Sequence, residues 1–96
     1  MTKGRSALRF APDEGTIALI DPDHGEDKSQ FKPTIHALVV DEAMDGCGLV
    51  VVNNTRLEIG DICLVQVGQL DPLSSELRWI RQLDEDVQKI GFMYLE

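Results

Sequence analysis

Two short segments of this chain carry side chains that could do chemistry together. Arg5-Ser6-Ala7-Leu8-Arg9 puts two guanidiniums four residues apart near the start. Asp41-Glu42-Ala43-Met44-Asp45-Gly46 puts a carboxylate and a glycine five residues apart, directly after an apolar run at 35–40. Guanidinium forks suit phosphates and the acceptor edge of guanine. A carboxylate accepts from N–H groups on the other edge, and glycine lets backbone approach a flat ligand closely. Arginines and a carboxylate on a small β-domain form a constellation suited to a guanine nucleotide.

The elements that must position these residues are legible as strands. Apolar, β-branched runs occur at 15–20, 34–41, 47–52, 62–67, 75–83 and 87–95, separated by turn-rich stretches. Residues 42–46 read as a turn, Asn53-Asn54 as another and Asp84-Glu85-Asp86 as a hairpin turn. The segment 74–89 also fits a helix, because Leu77, Ile80 and Leu83 recur at helical spacing behind a serine N-cap. Strand–turn–strand is favoured there, with Leu77, Trp79 and Ile80 directed inward, although an aromatic near a barrel rim could instead stack on a base. Many short strands about ten residues apart predict a barrel or sandwich. No internal repeat or low-complexity segment interrupts them.

The pair of segments resembles the PilZ domain family, whose RxxxR motif is followed some tens of residues later by D/N-x-S/A-x-x-G. RSALR matches the first motif and DEAMDG matches the second in its alanine form. Downstream, Gly48-Leu49-Val50-Val51-Val52, Gly60-Asp61-Ile62-Cys63, Leu77-Arg78-Trp79 and Ile90-Gly91-Phe92 continue the likeness over nearly the whole chain. The resemblance implies an all-β fold, a small six-stranded antiparallel barrel. One domain over 1–96 is expected, with a flexible basic arm at 1–12 and the barrel at 13–96. Many PilZ domains append a C-terminal helix over the barrel mouth; this chain departs from them, with little or no such helix expected after the last strand. Without such a helix the barrel mouth is open, covered by residues 69–76, or used to dock a partner.

The same resemblance implies a non-catalytic receptor for cyclic di-GMP (c-di-GMP), with Arg5, Arg9, Asp41, Ala43 and Gly46 binding the ligand. Asp41 is then a guanine-edge acceptor, where the residues alone allow a plain turn cap. Ala43 stands where serine is commoner and lacks its hydroxyl. Asp45 adds an acid that repels a nearby phosphate. Each charge-assisted hydrogen bond contributes about 1.5–3 kcal/mol, against an ordering cost of about 1–2 kcal/mol per arm residue. Several such bonds are needed for micromolar binding, about −8 kcal/mol. A receptor this small must act on an effector protein. A PilZ-like interaction module without ligand, and an unrelated barrel binding a polymer or metabolite, are the alternatives.

Composition bounds the rest. Ninety-six residues suit one domain. The net charge of −8 opposes general nucleic-acid binding. Yet Lys3, Arg5 and Arg9 precede the first acid, Asp13, so a basic arm meets an acidic body. No run of about 18 apolar residues predicts a membrane span. No apolar leader follows Met1, and a cytoplasmic location is expected. Cys47 and Cys63 sit in apolar surroundings and read as buried thiols. His24 and His36 lack nucleophile partners. The cluster Asp21, Asp23, His24, Glu26 and Asp27 lacks a calcium-loop pattern and reads as a solvated acidic loop. No enzymatic motif, cofactor or metal site is expected.

Overall fold

The computed structural model describes residues 9–10, 16–54 and 56–96, the first pair as backbone only. Seven strands run in chain order: β1 Arg9–Phe10, β2 Ile17–Asp21, β3 Ile35–Ala43, β4 Gly46–Val52, β5 Ile62–Val67, β6 Leu73–Asp84 and β7 Val87–Tyr94. The neighbour order is β1-β3-β2-β5-β6-β7-β4, and β4 pairs back to β3. The six longer strands therefore close into an antiparallel barrel, which leaves no free sheet edge among them. The two-residue β1 adds to β3 in register Arg9 with Ala43 and Phe10 with Glu42.

Alternating apolar residues fill the interior. Ile20, Leu49, Leu77 and Ile90 are fully buried in the core, each stabilising the barrel by about 1.5–3 kcal/mol relative to exposure. Cys47 and Cys63 are buried and unpaired. Burial pushes their thiols up to about 11 and about 12, so both stay protonated and inert at neutral pH. The segment that also fits a helix is a hairpin: β6 and β7 are joined by Glu85 and Asp86, with Asp84 paired to Val87. Among the described residues the one helical element is a 3-10 turn, Lys28–Gln30. No helix there is long and apolar enough to cross a membrane.

Three local expectations are corrected. The turn after β3 is only Met44 and Asp45, because Glu42 and Ala43 extend β3 and Gly46 begins β4. Trp79, expected inside, is 40% exposed. Asp21, expected in a solvated acidic loop, is completely buried. Its Oδ1 accepts from the backbone N–H of Asp23 at 2.9 Å and of His24 at 3.3 Å. Its Oδ2 accepts from Lys32 N–H at 2.8 Å and contacts His24 Nδ1 at 2.9 Å. The Asp-Pro step starts an Asx-type turn, and the carboxylate then collects donors that the loop would otherwise leave orphaned. Burial pushes this carboxyl up, but the hydrogen bonds from Lys32, Asp23 and His24 outweigh it and hold its pKa below the ordinary value.

Candidate ligand groove on the barrel wall

One row of residues crosses four strands on the outside of the barrel. Asp41 pairs with Gly48, Gly48 with Gly91, and Gly91 with Trp79. The two central positions carry no side chain. The result is a groove of about 210 Å³ with Asp41 on one wall and Trp79 on the other. Three inter-strand steps of about 4.8 Å separate the backbones of the two walls by roughly 14 Å.

Both walls face outward because each strand carries a β-bulge. In β3 the register shifts between Val39 and Asp41. Ala37 and Val39 point inward. Simple alternation would send Asp41 inward too, but the extra residue, Val40, turns it out. In β6 the register shifts between Leu77 and Trp79. Leu77 is fully buried, and the extra residue, Arg78, turns Trp79 to the outer face. A one-residue slip exchanges the faces of a strand, and bulges re-aim side chains beside binding sites.

The glycines are required by close approach. A Cβ at Gly91 would lie 2.2–2.5 Å from three atoms of the Trp79 ring, so the indole lies directly on the β7 backbone. A Cβ at Gly48 would lie 3.1 Å from Asp41 Cβ and 3.6 Å from Lys89 Cε. At Gly46 it would meet the carbonyl oxygen of Phe92 at 2.2 Å. Gly46 therefore serves the β4–β7 pairing instead of the turn conformation expected of it. Arg81 adds a guanidinium 5.9 Å from the Trp79 ring centroid, within cation–π range.

The second motif lies at this groove: Asp41, Ala43 and Gly46 all line it, together with Glu42 and Asp45. The first motif meets it through backbone. Arg9 stands opposite Ala43 across the β1–β3 pairing, while Arg5 lies outside the described residues. The structure adds residues that the motifs do not contain, namely Arg78, Trp79, Gly48 and Gly91. All four lie in the downstream pattern that continues the PilZ likeness, and a glycine within a strand signals close approach, so Gly91 is visible in the sequence. Its partner is not, because register is invisible in one strand read alone.

A second cavity of about 260 Å³ opens at the barrel end between Met44, Val65, Leu73 and Tyr94. Residues 70, 71 and 73 form part of its rim. Glu96 is tied there by an ion pair to Lys28 and by Ser74 N–H, which donates to its Oε2 at 2.8 Å. Burial, reinforced by the Cys47 thiol, raises the pKa of the Tyr94 phenol. No metal-binding group of three or more His, Cys, Asp or Glu occurs among the described residues.

The fold has a counterpart among solved structures. The chain is similar to the PilZ domain of YcgR from Escherichia coli, solved with c-di-GMP, at a TM-score of 0.66 and 16% identity, covering 98% of this chain and 79% of that one. The fold is a PilZ fold. No family model matches the sequence, and no curated protein does. The PilZ likeness is therefore carried by the barrel and its strand order, with little of the sequence retained. Within this PilZ barrel the DEAMDG segment ends β3, crosses the turn and begins β4, and the β6 bulge faces it across the two glycines.

Proposed function

We propose that this protein is a non-catalytic c-di-GMP receptor. The observation that carries the reading is the glycine-floored groove, with Asp41 facing Trp79 on a barrel similar to one solved with c-di-GMP. A flat base set against the exposed face of the Trp79 indole, which itself lies over Gly91, could stack on it, and base–aromatic stacking contributes about 1–3 kcal/mol. The Asp41 carboxylate is suited to accept from guanine N–H groups, which adenine presents differently. The groove is smaller than the roughly 300–1,000 Å³ of sites that enclose a small ligand. It holds part of the ligand, and Arg5 and Arg9 supply the remainder from the arm at 1–12.

The groove is lined by the carboxylates of Asp41, Glu42 and Asp45 and by Arg78, so the phosphates draw on cations brought to it as well. Ligand arrival would order the arm across the β3 end, and the altered surface would dock an effector protein. The barrel at 13–96 acts as one domain in this scheme. Calorimetric titration with c-di-GMP should give a dissociation constant in the micromolar range or tighter, with GMP and GTP much weaker. Absence of heat and of competition at high-micromolar ligand would sink the proposal and leave a PilZ-like module used for protein contacts alone.

Ala43→Ser should tighten binding. Ala43 is half-buried, lines the groove and stands opposite Arg9. A serine hydroxyl there adds one neutral hydrogen bond, about 0.5–1.5 kcal/mol, or roughly two- to tenfold in affinity. Parallel titrations of the two proteins test this. Weaker binding by the variant at equal thermal stability would mean that the β3–β4 end does not face the ligand.

A further inference from the structure

We propose that Arg78 is a third ligand-binding guanidinium, one that the barrel itself supplies for a phosphate of the nucleotide; this rests on the receptor function proposed above. The β6 bulge is what makes it available. Leu77 pairs with Phe92 and Trp79 pairs with Gly91, which leaves Arg78 as the inserted residue. Alternation is suspended there, and Arg78 and Trp79 are both exposed, side by side. An aromatic face and a guanidinium on consecutive residues match a ligand that joins a flat base to a phosphodiester. The fork of arginine suits the two free oxygens of that group.

The charges of the groove point the same way. Among the described residues Arg78 is the cation that lines it on the β6 side, against Asp41, Glu42 and Asp45, while Lys89 reaches Gly48 beside Asp41. Arg78 sits across the glycine floor from Asp41, so an anion beside it is removed from that carboxylate. Its guanidinium takes no part in the ion pairs of His24 with Asp21, Lys28 with Glu96 and Arg56 with Asp23. Its Nη1 instead donates to Met93 Sδ at 3.2 Å, a weak acceptor that a phosphate oxygen would displace. Arg81 differs, being placed over the Trp79 ring. Arg78 thus gives the folded barrel its own anion contact, independent of the arm.

The test is a calorimetric titration of c-di-GMP into the parent protein, Arg78→Gln, Arg78→Lys and, as a control, Arg56→Gln, each at low and high salt. Arg78→Gln is expected to weaken binding at least about tenfold and to reduce the salt dependence of the affinity, because one screened charge contact is gone. Arg78→Lys should fall between parent and Gln, since it keeps the charge but not the fork. Arg56→Gln should bind as the parent does. Loss of packing against Met93 alone would leave the salt dependence unchanged. Parent-like affinity or parent-like salt dependence in Arg78→Gln would overturn the assignment while leaving the receptor function standing. A parent protein that does not bind at all would remove both.

Discussion

Replacing Asp21 with alanine should destabilise the barrel by about 3–5 kcal/mol, because several donors lose their acceptor at about 1–3 kcal/mol each. The carboxylate is fully buried and meets four nitrogen groups, three backbone N–H and the His24 ring. Alanine leaves those donors facing a void, and hydrogen bonds to charged groups are individually worth about 1.5–3 kcal/mol. A domain of this size has only about 5–15 kcal/mol in total. The melting temperature should fall by at least about 12 °C, at about 4–8 °C per kcal/mol. The sign of the pH dependence follows from the lowered pKa of Asp21. A group whose folded pKa lies below its unfolded value contributes fully above the unfolded value, near 3.8, and loses that contribution as pH falls through the folded one. The parent should therefore lose this stability only below about pH 4. Asp21→Asn, already weakened at neutral pH, should lose less on acidification. Urea denaturation at neutral and acid pH checks both statements. An Asp21→Ala protein as stable as the parent would mean that the loop is solvated after all.

Arg5→Ala and Arg9→Ala should each weaken c-di-GMP binding by about 2 kcal/mol or more, close to thirtyfold, without lowering the melting temperature. The groove carries three carboxylates, Asp41, Glu42 and Asp45, against Arg78, so a cation removed from the arm is only partly replaced by the barrel. The β1–β3 pairing runs through backbone, Arg9 opposite Ala43, and alanine keeps every one of those groups. The substitution at position 9 thus removes the side chain and spares the strand. Affinity of the parent should also fall with salt, because partly exposed charge pairs are screened over a Debye length of about 10 Å at 0.1 M. Unchanged affinity in either variant, or a lower melting temperature without ligand, would contradict the assigned roles.

These roles bear unequally on what a single chain of letters can disclose. The six long strands were legible because burial on one face of a barrel imposes alternation, and β2 to β7 lie within a few residues of the apolar runs. The helix alternative at 74–89 failed for a tertiary reason: β6 and β7 have partners on both sides, β5 and β4, and the paired strands bury Leu77, Ile90 and Phe92 together. The second motif was readable as residue types at fixed spacing, since a local segment carries its own geometry across a two-residue turn.

By itself, then, the sequence determined the periodicities, the motif spacing and the acidic balance, all of which are properties of neighbouring residues. Tertiary structure alone decided which faces the critical side chains occupy. Alternation from Val39 sends Asp41 inward, and alternation from Leu77 does the same to Trp79; two bulges reverse both. A bulge is a count of residues between partner strands, so it exists only once β3 meets β4 and β6 meets β7. The glycine floor is likewise a register, assembled from Gly48 and Gly91, which are 43 residues apart. In the sequence Asp21 reads as solvated because its charge is local information. The donors that bury it come partly from Lys32, eleven residues away, and only the folded loop brings that N–H to the carboxylate.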